Sequence, residues 1–110
     1  MLSTYDTPSA TMAVPPRVVA DLQFTGDGVA FGSGCNRGHC AAELTATEIT
    51  FGPVGLTRML CIGPTADVET AVLRVIRGNQ TVRYHVVGDL LRIHGPAGTL
   101  EYRKAPHPEV

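Results

Sequence analysis

Apolar and polar residues alternate along most of the chain, which is the pattern of half-buried β-strands. In residues 81–87, Val82, Tyr84 and Val86 share one face and alternate with polar or charged side chains. The same alternation, bounded by turn signals rich in Gly and Asp, predicts seven strands: residues 18–25, 29–32, 39–44, 48–51, 81–87, 90–94 and 99–103. Short strands at regular spacing favour an antiparallel barrel or sandwich.

One segment has the helical period instead. Pro64 suits the first turn of a helix, where a missing N–H is tolerated, and Gly78 is a natural end. Five apolar residues between them fall on one helical face: Val68, Ala71, Val72, Val75 and Ile76. We therefore predict a single helix, ending at Arg77, that packs on the sheet.

The chain is long enough for one hydrophobic core and too short for two. It has 110 residues, of which 44% are hydrophobic and 17% charged. Residues 1–16 are rich in Ser, Thr and Pro and are predicted to be a flexible lead-in. Residues 17–104 are predicted to form the domain, and residues 105–110, with two prolines, a frayed tail.

Charge and hydropathy exclude several classes of partner. The formal net charge is −1 and the basic residues are scattered, so nucleic acid is not an expected partner. No apolar run approaches the roughly 18 residues of a membrane span, and residues 1–16 lack the features of a secretory signal. We expect a monomer without a cofactor. Its location stays open between the cytoplasm and, if a leader was removed, the cell envelope, periplasm or exterior.

The three cysteines, Cys35, Cys40 and Cys61, leave their oxidation state open. One bridge plus one free thiol and three free thiols are both compatible with an odd count. Together with His39 they are also the residue types that bind zinc. His39 and Cys40 are neighbours on a predicted strand and point to opposite faces. We therefore predict no metal site.

The sequence does not predict a catalytic site. Formal Cys–His nucleophile pairs would combine Cys35 or Cys40 with His39, His85 or His94. In such a pair the Cys and His side chains must lie within hydrogen-bond distance, and a third group must orient the His; the sequence indicates neither. Asp67 and Glu69 are two residues apart on the predicted helix and do not share a face. We therefore predict that the protein is not an enzyme.

A set of short motifs gives the chain a family resemblance. In order, they are Gly34-Cys35-Asn36, Thr57-Arg58-Met59-Leu60-Cys61, Glu69 in the helix, and Gly88-Asp89-Leu90. Over residues 17–104 the chain resembles the META domain, also called HslJ-like, in a bacterial form of actinobacterial type. The resemblance implies a mainly β fold: a small, cracked, lipocalin-like antiparallel barrel of seven or eight strands with one α-helix.

The resemblance also implies roles for individual residues. Cys35 and Cys61 correspond to the family's two recurrent cysteines and are a candidate disulfide. The structural motif comprises Gly34, Cys35, Asn36, Thr57, Arg58, Met59, Cys61 and Glu69. Asn36 is expected to bond nearby backbone in its loop, and Arg58 to pair with Glu69 or Asp67. The family usually opens with a Trp-containing strand, whereas this chain has no Trp.

For function, the resemblance implies a noncatalytic module associated with the bacterial envelope, lipoproteins or the heat-shock and stress response. It would bind a partner protein or a lipid-like ligand. The alternative is a barrel that encloses a small molecule, and a Cys-dependent enzyme is less favoured. Bulky side chains filling the interior would argue against the small-molecule barrel: Leu22, Phe24, Phe31, Phe51, Tyr84 and Tyr102.

Overall fold

The structure, a computed structural model, describes residues 1–104 and contains ten strands and one helix. The strands are β1 (Leu2–Asp6), β2 (Thr11–Ala13), β3 (Leu22–Phe24), β4 (Gly28–Gly32), β5 (Arg37–Leu44), β6 (Glu48–Phe51), β7 (Gly55–Leu56), β8 (Thr81–Val87), β9 (Leu90–Gly95) and β10 (Gly98–Arg103). The helix α1 is Pro64–Val75. The predicted frayed tail, residues 105–110, lies outside the described residues.

All the strands belong to one antiparallel sheet that curves around a single core. Its order is β2-β1-β10-β9-β8-β6-β5-β4-β3, and β7 pairs with β5. The end strands β2 and β3 are not paired with each other, so the barrel is cracked rather than closed. The predicted mainly β fold with one helix is confirmed. The strand number, ten in the described residues, exceeds the predicted seven or eight.

The N-terminal segment was predicted to be a flexible lead-in, and this is wrong for its two strands. β1 pairs with β10 on one side and with β2 on the other. Leu2 and Tyr5 of β1 are buried in the core. A register shift between Leu2 and Thr4 breaks the two-residue alternation, which hid this strand in the sequence. β1 is thus the first strand of the sheet in chain order, although it lacks the Trp usual in the family's first strand.

Two further differences concern strand bounds. The predicted strand at residues 18–25 shortens to Leu22–Phe24, although Ala20 is fully buried and its carbonyl accepts a hydrogen bond from the Leu2 N–H at 2.7 Å. Residues 52–63, where no strand was predicted, contain the short strand β7. Its pairing with β5 brings this segment beside the loop that carries Cys35.

The helix begins at Pro64, as predicted, but ends at Val75 rather than Arg77. The side-chain amide of Gln80 donates to the carbonyls of Arg74 (3.1 Å) and Val75 (2.8 Å), which satisfies groups left free by the last turn. The predicted apolar face is the buried one: Val68, Ala71, Val72, Val75 and Ile76. None of the helical structure in residues 1–104 combines the length and hydrophobicity required of a membrane span.

The barrel interior is filled at one end and open at the other. Phe31 and Phe51 are fully buried with side chains of the helix and of β6, β9 and β10. Of the six bulky residues expected to fill the interior, Phe31, Phe51 and Tyr102 are buried, Leu22 and Tyr84 are half-buried, and Phe24 is exposed. A central, lipocalin-like cavity therefore has no room beside Phe31 and Phe51, and the small-molecule barrel is disfavoured in that form.

Candidate functional site

A disulfide joins the loop before β5 to the segment before the helix. Cys35 and Cys61, the pair implied by the resemblance, are bonded with their Cα atoms 6.1 Å apart and 26 residues apart in sequence. Gly34 precedes the bridge with φ of 96°, a left-handed conformation that favours glycine. By the chain-entropy model, a loop of this size contributes about 3 kcal/mol to stability.

Asn36 connects the same two segments through its side chain. Its Oδ1 accepts hydrogen bonds from the Met59 N–H at 2.6 Å and the Thr57 hydroxyl at 3.0 Å. Its Nδ2 donates to the Met59 carbonyl at 3.1 Å. The side chain was expected to bond backbone within its own loop. Instead it bonds a segment more than twenty residues away, which β7 places alongside.

Glu69 projects from α1 into this polar cluster. Its Oε1 accepts hydrogen bonds from the Ser33 hydroxyl and from Asn36 Nδ2, the latter at 2.8 Å. Among the described residues Arg58 forms no ion pair and is exposed, so its predicted pairing with Glu69 or Asp67 is wrong. Because buried Ser33 and Asn36 already bind the carboxylate, Glu69 does not need a guanidinium partner.

The four residues weighed as a zinc set do not all come together: Cys35 and Cys61 are bonded, but His39 and Cys40 do not join them. Cys40 is buried in the core, while its neighbour His39 is exposed on the opposite face of β5. Burial raises the pKa of the Cys40 thiol. Within residues 1–104 one group brings three potential ligand atoms together: the sulfurs of Cys35 and Cys61 and a carboxylate oxygen of Glu69, all within 4.8 Å. The sequence did not indicate Glu69 for this group.

A second candidate site is a mainly apolar crevice between β3 and the β8–β9 hairpin. It has a volume of about 650 Å³, within the usual range for ligand pockets. One wall is β3, and the other is the β8–β9 hairpin with the end of β10. Its main apolar side chains are Leu22, Phe24, Val86, Leu90, Leu91 and Tyr102, with Asp21, Asp89, Arg103 and Lys104 also contributing. These apolar side chains are suited to pack against an alkyl chain.

Tyr102 lines the crevice and carries a hydroxyl group. Its hydroxyl is buried and has no hydrogen-bond partner among the described residues. Burial, with a smaller effect from the negative charge of Asp21, raises the pKa of Tyr102, so the hydroxyl stays protonated. A buried hydroxyl without a partner is costly, and a ligand that accepts its hydrogen bond would relieve that cost.

An exposed apolar loop lies beside the disulfide. Met59, Leu60 and Ile62 are all exposed, Leu60 at 93%. Asn36 bonds both backbone groups of Met59, and the Thr65 hydroxyl donates to the Ile62 carbonyl at 2.9 Å. The loop is therefore fixed in place while its apolar side chains face solvent.

A known protein family matches this chain. The family model of the META domain matches residues 3–106. The chain belongs to the META domain family. The match begins within β1, in agreement with the pairing of β1 and β10 and against a domain that starts at residue 17.

A solved structure has the same fold as this META domain. It is the NMR structure of a protein from Burkholderia xenovorans, with a TM-score of 0.74 and 23% sequence identity. The alignment covers 96% of this chain and 80% of that one. At this identity the likeness concerns the fold alone. No curated protein matches the chain.

Sequence reasoning missed two features of these sites. Ser33 was not among the predicted site residues, yet it is fully buried and binds Glu69. The crevice was not predicted, because its walls come from strands that are distant in the chain. A Tyr on the core face of a strand was the available signal, since a buried phenol normally requires a partner.

Proposed function

We propose that this META domain is a noncatalytic binding module that takes a lipid-like ligand in the crevice between β3 and the β8–β9 hairpin. The ligand would be an amphiphile, with an apolar chain along Leu22, Val86 and Leu91. Its polar head would accept a hydrogen bond from the Tyr102 hydroxyl. The observation that carries the proposal is this buried hydroxyl, which has no hydrogen-bond partner within residues 1–104, in a mainly apolar crevice.

The state of the cysteines supports a noncatalytic role. Cys35 is in a disulfide and has no thiolate to offer as a nucleophile. Cys40 is buried, and its raised pKa leaves little thiolate at neutral pH. An association with the envelope or with the stress response stays a proposal that rests on the family resemblance.

Binding of a fluorescent polyene fatty acid, cis-parinaric acid, tests the proposal. Its emission should rise on transfer into the crevice, and unlabelled oleate should displace it. Val86→Arg should abolish binding, because Val86 lines the crevice. Val87→Arg is the matched control: Val86 is 63% and Val87 64% exposed, but Val87 does not line this crevice.

Tyr102→Phe distinguishes the contribution of the ligand's polar head to binding from that of its apolar chain. It should weaken binding of the fatty acid several-fold and leave binding of an alkane of equal chain length unchanged, because only the head uses the hydroxyl. If Val86→Arg and Val87→Arg bind the probe as the unchanged protein does, the crevice is not the ligand site.

A partner protein is the second candidate, favoured by the fixed apolar loop at Met59, Leu60 and Ile62. Such side chains are suited to a complementary apolar pocket. Photo-crosslinking groups at Leu60 and Ile62 should capture one and the same protein in cells. A group at Leu44, half-exposed on β5, is the control and should not capture it.

A further inference from the structure

We propose that the Cys35–Cys61 disulfide conceals a metal site: after reduction, the two thiolates and the Glu69 carboxylate bind Zn²⁺. The three ligand atoms already lie within 4.8 Å of one another. Tetrahedral zinc, with bonds of about 2.3 Å to sulfur and about 2.1 Å to oxygen, needs its ligand atoms about 3.6–3.8 Å apart. Reduction lengthens the sulfur–sulfur separation from a bond to this distance.

The site would survive reduction because a second connection holds the same two segments. Asn36 bonds the N–H and the carbonyl of Met59, two residues before Cys61. In addition, the Thr57 N–H donates to the Arg37 carbonyl at 2.9 Å, and the Thr57 hydroxyl accepts from the Arg37 N–H at 2.9 Å. Cys35 and Cys61 therefore remain neighbours when the covalent bond is absent.

The surroundings of the sulfurs also favour the thiolate form. Asn36 Nδ2 lies 3.5 Å from the Cys61 sulfur and 3.8 Å from the Cys35 sulfur. The two hydrogens of Nδ2 bond the Met59 carbonyl and Glu69 Oε1. The positive end of the amide dipole nevertheless lies beside both sulfurs and stabilises a thiolate charge, as groups around metal ligands commonly do. On Glu69 the hydrogen bonds from the described residues both go to Oε1 and orient the carboxylate, of which one oxygen lies within 4.8 Å of both sulfurs.

The chemistry balances in two steps. A dithiol transfers two electrons and two protons to the protein: its own sulfurs become a disulfide, the Cys35–Cys61 bond breaks, and two S–H groups form. Zn²⁺ then displaces both protons into the buffer and forms two Zn–S bonds. Glu69 adds a Zn–O bond, and water completes the tetrahedron. Metal binding is thus coupled to the redox state of the surroundings.

Cobalt spectroscopy tests the site directly. The protein is reduced with a dithiol, desalted under argon and titrated with Co²⁺, then with competing Zn²⁺. The reduced protein should show the near-ultraviolet sulfur-to-cobalt charge-transfer band and the visible bands of tetrahedral cobalt. The oxidised protein should show neither. Circular dichroism of the reduced, metal-free protein should show that the sheet is retained.

Variants identify the ligands. A Cys40→Ala background removes the third thiol, which is not a member of the cluster. In that background Glu69→Gln should weaken Zn²⁺ binding about tenfold or more, because even loss of supporting groups around a metal typically costs that much. Asp67→Asn is the control, an exposed acid on the same helix. The double variant Cys35→Ser, Cys61→Ser should lose the charge-transfer band.

Three results would overturn the inference. The first is a reduced protein that shows no charge-transfer band with Co²⁺. The second is Zn²⁺ affinity that is equal in the oxidised and reduced forms or unchanged in the double serine variant. The third is loss of the sheet on reduction, which would show that Asn36 does not hold the two segments together. A failure of fatty-acid binding at the crevice would leave this site unaffected.

Discussion

Val82 and Val86 lie on the same face of β8, yet Val82 is 1% exposed and Val86 is 63% exposed. Around Val82 the sheet is covered by the helix: a side-chain carbon of Val75 and one of Val82 both lie 3.5 Å from the position of a Cβ on Gly95. Around Val86 the described part of the chain contributes no helix, and the facing strand β3 is three residues long. One sheet therefore provides a core at one end and a binding crevice at the other.

The largest expected effect lies in the filled end. Phe31→Ala should lower the free energy of unfolding by about 3–5 kcal/mol, because a fully buried ring leaves a cavity. Phe24→Ala, at a crevice residue that is 41% exposed, should cost about 1 kcal/mol or less. Urea unfolding measures both, and Phe31→Leu should give a smaller loss in the same direction. Equal losses at Phe24 and Phe31 would contradict the division into two ends.

A glycine in the filled end should be intolerant of even one added carbon. Gly38 lies opposite Phe31, and a Cβ there would be 2.4 Å from Cζ of that ring. Gly38→Ala should cost about 1–3 kcal/mol, because the ring must move within a packed core. Gly26→Ala has no atom within 4 Å of the new carbon and should stay within about 0.5 kcal/mol of the unchanged protein. Thermal or urea unfolding measures the free energy of unfolding of both variants. A loss below about 0.5 kcal/mol for Gly38→Ala would show that the Phe31 ring can move to accept the added carbon.

The two valines of β8 give a smaller and better matched contrast. Val82→Ala removes two buried carbon atoms and should cost about 1–2 kcal/mol. Val86→Ala removes the same atoms from a site that is largely exposed and should cost less than about 0.5 kcal/mol. Both are the same Val→Ala change on one face of one strand, so the difference in urea midpoint reports mainly the difference in burial. A loss at Val86 as large as that at Val82 would mean that the crevice is closed in solution.

The smallest expected effect is a pH dependence from Cys40, which is buried in the core. Burial raises its pKa above the ordinary 9.0, so the folded protein retains the proton at pH values where the unfolded chain has lost it. Unfolding then releases a proton, and stability should fall slightly as the pH rises through about 9. Urea midpoints at about pH 8 and 9.5 measure this, and Cys40→Ala should show a shallower decline. A midpoint that rises with pH in the unchanged protein but not in Cys40→Ala would contradict the assignment.

Local pattern was sufficient to predict much of the fold. β6 was predicted with its observed bounds, because Ile49 and Phe51 alternate with polar residues between clear turns. The helix face was correct because five apolar residues keep the helical period. β1 was missed because a register shift breaks its alternation, and β7 because two residues carry no periodic signal. The pairing of β1 with β10 joins the two ends of the domain, and no local pattern reports such a contact.

The candidate sites divide in the same way. The disulfide pair was predicted from a family motif. The partners of Asn36 and Glu69 could be identified only in the tertiary structure, because both side chains bond residues more than twenty positions away. The Arg58 prediction was wrong because sequence reasoning matched opposite charges and could not see that Ser33 and Asn36 are buried beside the carboxylate. Charge alone does not decide the partner of a half-buried acid when neutral donors are closer.

By itself, the sequence determined most of the secondary structure and the apolar face of the helix, since these depend on residue type and short-range period. Its motifs carried the resemblance to the META domain family. The tertiary structure alone decided that the barrel is cracked, that the Tyr102 hydroxyl has no partner among the described residues, and that two sulfurs and a carboxylate meet. Each of these depends on which distant strands become neighbours. That choice reflects the packing of the whole core rather than the preference of any single segment.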